Sequence, residues 1–180
     1  MKLVAFDLGM HVGWASGTPD ARPSSGLLAL TSCQGDYGRL LSQFNHFILD
    51  VIKGADFVAY ESPIVHPNNT LNGIMIDVGL ATHLEFVCHE IDIPVMAPYP
   101  KTIKKTFTGN GGAKKDAMVA KAAELGHKVA RHDEADAIGC WYYLLSKYDQ
   151  HHKTTHFSDH MDPLFNGAPD TCQTNSISTM

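Results

Sequence analysis

The apolar positions change period several times along the chain, and each change marks an element. Residues 2–7 (Lys-Leu-Val-Ala-Phe-Asp) are a short apolar run closed by an acid, the pattern of a buried strand. Residues 12–16 and 26–33 predict a second and a third strand. Gly9 and Gly13 flank the first turn, and Arg22-Pro23-Ser24-Ser25-Gly26 makes the next. Short turns between three strands predict an antiparallel meander. Over 37–53 the period becomes helical. Leu40, Leu41, Phe44, Phe47, Ile48, Val51 and Ile52 fall on one side, and Gly54 suits the C-terminal cap.

Residues 56–61 (Asp-Phe-Val-Ala-Tyr-Glu) predict a fourth strand, again closed by an acid. Pro63 and Pro67 open a loop that runs through Asn69. A longer helix follows over 70–91, with Leu71, Ile74, Val78, Leu80, Leu84, Val87 and Ile91 as its core positions, and 94–97 predicts a short fifth strand. Residues 101–107 predict a short helix, 109–112 (Gly-Asn-Gly-Gly) a turn, and 113–125 an alanine-rich helix ended by Gly126. The last helix spans 133–147 and carries Ile138, Trp141, Tyr142 and Leu145. After Tyr148 the periodicity is lost, and residues 149–180 predict a weakly ordered polar tail. The order β-β-β-α-β-α-β-α-α over 1–148 predicts one α/β domain. Its five-stranded mixed sheet joins a three-stranded meander to alternating helix and strand, with helices on both faces.

Composition sharpens this picture. The 180 residues suit a single domain, and 44% hydrophobic content is ordinary. Four cysteines (Cys33, Cys88, Cys140, Cys172) form no CxxC pair, which argues against a zinc ribbon. Asp7 stands where a signal peptide would need an apolar run, and no stretch approaches the ~18–20 apolar residues of a membrane span. The expectation is a soluble, cytoplasmic protein with reduced thiols and no membrane partner. His46, His83 and His89 lie in helical patterns and are expected to pack. His151, His152, His156 and His160 are expected to be solvated tail residues, since no apolar frame fixes them as metal ligands.

The net charge of −5 excludes an evenly basic nucleic-acid binder, but the charge is uneven. Residues 101–131 carry eight basic and two acidic residues, net +6, so the remainder carries −11. A charge run is ordinarily a solvated face, and Lys121 and Lys128 are read so. Lys114 and Lys115 follow the glycine turn at a helix start, where lysine opposes the dipole. A phosphate would resolve that conflict.

The acids fall at informative places. Asp7 closes the first strand and Glu61 the fourth, while Asp133 and Asp136 share one face at the start of the last helix. A right-handed crossover sets the first and fourth strands side by side, and ligands collect at the carboxyl ends of such strands. Each acid also has an ordinary reading: a turn residue for Asp7 and Glu61, an N-cap for Asp133, a dipole partner for Asp136. Clustered, they repel by on the order of 1–4 kcal/mol per pair at about 4 Å. Hard divalent cations offset such repulsion, and Mg²⁺ or Mn²⁺ suit carboxylate-only sites. A pair of such ions drives phosphodiester hydrolysis elsewhere.

Phe6-Asp7-Leu8-Gly9 with Gly13-Trp14-Ala15 resembles the first strand of RuvC-family Holliday junction resolvases, which have the RNase H-like fold. Val58-Ala59-Tyr60-Glu61 resembles their fourth-strand motif, and residues 108–115 (Thr-Gly-Asn-Gly-Gly-Ala-Lys-Lys) their glycine-turn and lysine segment. Residues 132–137 (His-Asp-Glu-Ala-Asp-Ala) are similar to the closing motif, so the likeness covers 1–148 in order. The resemblance implies Asp7, Glu61, Asp133 and Asp136 as catalytic metal ligands for Mg²⁺ or Mn²⁺, two ions per site. It implies Lys115 as a catalytic, positively charged residue near the scissile phosphate, with Lys104 beside it. Lys101, Lys104, Lys105, Lys114 and Lys115 are the expected DNA contacts. It further implies a homodimer that cuts four-way or related branched DNA to 5′-phosphate and 3′-hydroxyl ends. Helix 70–91, apolar on more than one side, is the candidate interface, and a plain core helix is its ordinary reading. The family often places a wedging aromatic after the fourth-strand acid, where this chain has Ser62-Pro63-Ile64. The short length and the tail suggest a diverged viral or phage branch, acting in a bacterial host cytoplasm.

Two other classes stay open. Asp7-Leu8-Gly9 with Gly13 also resembles the first phosphate loop of actin-like and sugar-kinase-like ATPases, which need a second similar domain. A module that binds junctions without cutting them would lack a site carboxylate, and all four are present.

Overall fold

The computed structural model describes residues 1–31, 35–65, 67 and 69–152. Its strands are β1 (Leu3–Asp7), β2 (His11–Gly17), β3 (Ser24–Ala29), β4 (Phe57–Tyr60) and β5 (Val95–Met96). Its helices are α1 (Tyr37–Ile52), α2 (Leu71–Glu90), α3 (Pro100–Thr108), α4 (Lys115–Glu124) and α5 (His132–His152). The strands form one sheet in the order β3-β2-β1-β4-β5. β1 pairs antiparallel with β2 and parallel with β4. β2–β3 is antiparallel and β4–β5 parallel. This is the predicted meander followed by crossover strands.

Alternation along the strands sorts side chains onto two faces. Val4 and Phe6 of β1, with Val58 and Tyr60 of β4, join Leu40, Phe44, Ile48 and Ile52 of α1 and Leu80 and Leu84 of α2 in one core. Leu3, Ala5, Ala15 and Ala59 face the other way. There they meet Ile103 and Phe107 of α3, Met118 of α4, and Ile138, Trp141 and Leu144 of α5. Trp141 Nε1–H donates to the Leu3 carbonyl at 3.0 Å and fixes α5 across the sheet. Asp7 and Glu61 continue the second alternation, so their side chains belong to the α5 face.

Several boundaries differ from the sequence pattern. β3 begins at Ser24, inside the predicted turn, because Ser24 and Ser25 pair with Ser16 and Ala15. α5 runs to His152, past the predicted end at 147. Asp149, Gln150, His151 and His152 end the apolar stripe but include no helix breaker. Met1–Lys147 is one compact unit. The expected end of the third strand at Cys33, the tail from 153 onward, and His156 and His160 lie outside the described residues.

α2 differs most. Its buried residues are Ile76, Leu80, Ala81, Leu84, Val87 and Cys88, whereas the predicted core positions Leu71, Val78 and Ile91 are 73%, 43% and 45% exposed. The helix is apolar on all sides, so spacing could not select its inward face. It is also long and apolar enough, by length and composition, to cross a membrane, contrary to the expectation that no such stretch exists. Its inner face, however, is packed into the core of the sheet. Among the expected packing histidines, His83 lies 6.2 Å from the Phe44 ring and 2.9 Å from Asn45 Oδ1, while His46 and His89 are exposed.

Candidate active site

Parallel pairing of β1 with β4 brings the two strand-end acids together. Phe6 is in register with Tyr60, and the Glu61 N–H donates to the Phe6 carbonyl at 3.1 Å, so Asp7 and Glu61 follow side by side. The third and fourth acids arrive on α5, whose first turn closes onto β2 at Gly13, the register partner of Asp7. A Cβ at Gly13 would lie 2.0 Å from the Asp133 carbonyl oxygen. Only glycine permits this approach. Ala5, Ala15 and Ala59 behind it keep the sheet surface low, so α5 can lie close.

The acids sense one another. Asp7 is pushed well above the ordinary carboxylate range, first by burial, then by Glu61, Asp136 and Asp133, with Lys115 acting in the opposite sense. Glu61 is raised to about 7, by burial and then Asp136, against Lys104. Asp136 is raised by burial above all. Lys104, His132 and Lys115 pull it down and Asp133 pushes it up. The Cys140 thiol is buried beneath the cluster, and burial with Glu61 and Asp7 holds it protonated. The cluster therefore joins Asp7, Glu61, Asp133 and Asp136 with Lys104 and Lys115. Lys101, Lys105 and Lys114 are exposed on α3 and at the start of α4. Lys121 pairs with Glu124 at 2.7 Å, and Lys128 is exposed, as a solvated face predicts.

The donor set fits a hard divalent cation. Glu61 Oε2 and Asp136 Oδ1 are buried with no hydrogen-bond partner, and an unpaired buried carboxylate oxygen is costly. All four groups offer oxygen, as Mg²⁺ or Mn²⁺ requires. Among the described residues, no three His, Cys, Asp or Glu side chains yet converge as a finished metal shell. Asp133 has basic neighbours of its own. Its Oδ2 accepts from Arg131 Nε at 3.0 Å, and its Oδ1 lies 3.2 Å from His132 Nε2. His132 Nε2 in turn lies 2.6 Å from Lys115 Nζ.

The neighbours of these acids have different work from that of the cluster. Glu134 is buried but satisfied: it accepts from Ser25 Oγ and from the Ala130 N–H, both at 2.8 Å, tying β3 to the start of α5. Arg131 holds Asp133, and His132 accepts from Lys115. Sequence reasoning passed over Arg131, although a basic pair directly before a helix-start acid was the available signal.

These elements define an RNase H-like α/β domain. Among solved structures the fold is that of RuvC. The chain is similar to the Thermus thermophilus RuvC structure, at TM-score 0.63 and 19% identity, over 83% of this chain and 97% of that one. It is similar also to T. thermophilus RuvC in complex with Holliday junction substrate, at TM-score 0.67 and 21% identity, over 82% and 96%. No protein-family model and no curated protein matches the sequence.

Proposed function

We propose that the protein is a metal-dependent endonuclease that cuts four-way DNA junctions or closely related branched DNA. The observation that carries this reading is the buried carboxylate cluster at the ends of parallel strands, with two oxygens lacking any partner, beside a lysine-rich surface. Asp7, Glu61 and Asp136, completed by Asp133, are the residues that would hold two Mg²⁺ or Mn²⁺ ions. Such a pair supplies activation of a water and charge stabilisation of the leaving oxygen. Water attacks phosphorus in line and the bond to the 3′ oxygen breaks, giving a 5′-phosphate and a 3′-hydroxyl. Lys104 and Lys115, which face the acids, balance charge around the scissile phosphate. Lys101, Lys105 and Lys114 hold the flanking backbone.

Two features extend the reading to a junction. The outer stripe of α2 exposes Leu71, Met75, Val78 and Phe86 at helical spacing, which suits a two-fold contact with a second copy. A two-fold dimer would present two sites to a two-fold substrate. Beyond Glu61, in place of an aromatic, Ile64 and Val65 are 41% and 62% exposed, and apolar side chains of this kind wedge between base steps.

The test is a substrate panel with the purified protein and Mg²⁺ or Mn²⁺: a four-way junction, a fork, linear duplex and an RNA–DNA hybrid. Paired symmetric nicks in the junction are expected. Failure to cut any branched substrate overturns the proposal, and preference for the hybrid reassigns the substrate.

A further inference from the structure

The four carboxylates are not equivalent. Glu61 Oε2 and Asp136 Oδ1 are buried and unpartnered, and Asp136 as a whole is only 9% exposed. Asp133, by contrast, has basic groups at both oxygens, Arg131 Nε at 3.0 Å and His132 Nε2 at 3.2 Å. An ammonium donates and cannot accept, so in the 2.6 Å contact Lys115 Nζ donates to His132 Nε2. That nitrogen then carries no proton for Asp133, so Arg131 Nε is the donor that holds the carboxylate.

Arg131 directly precedes α5, where the helix dipole disfavours positive charge. The Arg131 side chain is 46% exposed, and an exposed ion pair is weak. A guanidinium pairs better with phosphate, whose oxygens match its fork and whose charge suits a helix N-terminus.

We propose that Arg131 forms a latch on Asp133, holding its carboxylate out of the metal site until a DNA phosphate draws Arg131 away. This rests on the endonuclease reading above. Arg131 is then a positioning residue for Asp133 as well as a backbone contact. Asp7, Glu61 and Asp136 take an ion without DNA, and Asp133 joins when the substrate is present. Metal loading and DNA binding become coupled through one side chain.

The test uses the full chain and Mn²⁺ alone, titrated calorimetrically into the wild type, Arg131→Gln and Arg131→Lys, with circular dichroism to confirm folding. Without DNA, the weaker Mn²⁺ step should tighten about 1.4-fold to fivefold in Arg131→Gln, the range of a lost exposed ion pair, and less in Arg131→Lys. In an Asp7→Asn background, Arg131→Gln should also lower the salt slope of junction binding by about 1. Unchanged Mn²⁺ affinity in Arg131→Gln overturns the latch, even if the salt slope falls. An unchanged slope overturns the phosphate-driven release. Failure of the wild type to take up Mn²⁺ at all overturns the metal reading, and the latch with it.

Discussion

The two faces of the sheet are built from the same strands but to opposite ends. One face carries Val4, Phe6, Val58 and Tyr60 against Phe44, Ile48, Ile52, Leu80 and Leu84, all large and all buried. The other carries Ala5, Ala15 and Ala59, and α5 settles low enough on it for Asp133 to touch the backbone of Gly13. The first face supplies area removed from water. The second gives up area for approach, and the approach concentrates acids whose mutual repulsion disfavours the fold. Large side chains stabilise, and small ones position. Tyr60 and Glu61 show the division within one strand: the Tyr60 hydroxyl donates to Glu85 of α2 at 2.6 Å on one side, while Glu61 Oε2 is buried without a partner on the other.

Substitutions on the two faces should therefore move different observables. The largest loss of stability is expected from Phe44→Ala, about 3–5 kcal/mol by urea denaturation. Cutting per folded molecule should stay unchanged, and a matching loss of specific activity would blur the two faces. Glu61→Gln should act in reverse. In the metal-free protein Glu61 keeps its proton up to about 7, whereas an unfolded glutamate releases it at about 4.3. The folded state binds more protons across that window, so stability falls as pH rises through it. Wild type should lose on the order of 3–4 kcal/mol there. Glu61→Gln should flatten that dependence, and Mg²⁺ should raise the melting temperature more above this window than below it. A flat wild-type profile would show that the acids do not strain the fold.

Smaller effects probe the contact between α5 and the sheet, and the outside of α2. Gly13→Ala places a methyl on the Asp133 carbonyl and should cost about 1–3 kcal/mol. It should also lower Mn²⁺ affinity. Loss of stability with intact metal binding would mean that α5 can shift without moving Asp133. Val78→Glu, on the outer stripe of α2, should change monomer stability by less than about 0.5 kcal/mol yet dissociate a dimer in sedimentation. An unchanged sedimentation coefficient for a dimeric protein would move the interface elsewhere.

Most of this division was legible in the sequence, but unevenly. Strand order and the pairing of Asp7 with Glu61 followed from short apolar runs closed by acids and from crossover handedness. α1 was legible because only one side of it is apolar: Leu40, Phe44, Ile48 and Ile52 are buried as predicted. α2 was not, because residues such as Leu71 and Val78 are as apolar as Leu80 and Leu84, and periodicity carries no information when every face is hydrophobic. In the site, residue types marked the acids. They did not mark which acid is free and which is held. That depends on side-chain direction, which set Arg131 against Asp133 and Ser25 against Glu134. Gly13 read as a turn glycine, and its role at the α5 contact needed the tertiary fold.

The central claim is that the low, acidic face performs chemistry and the tall, apolar face holds the fold. The most direct measurement follows cleavage and binding of one four-way junction by wild type and Asp7→Asn in Mg²⁺. The account predicts paired symmetric nicks from wild type, and a loss of about 10³-fold or more in Asp7→Asn with junction affinity retained. Undiminished cutting by Asp7→Asn, or loss of binding in step with cutting, would contradict it.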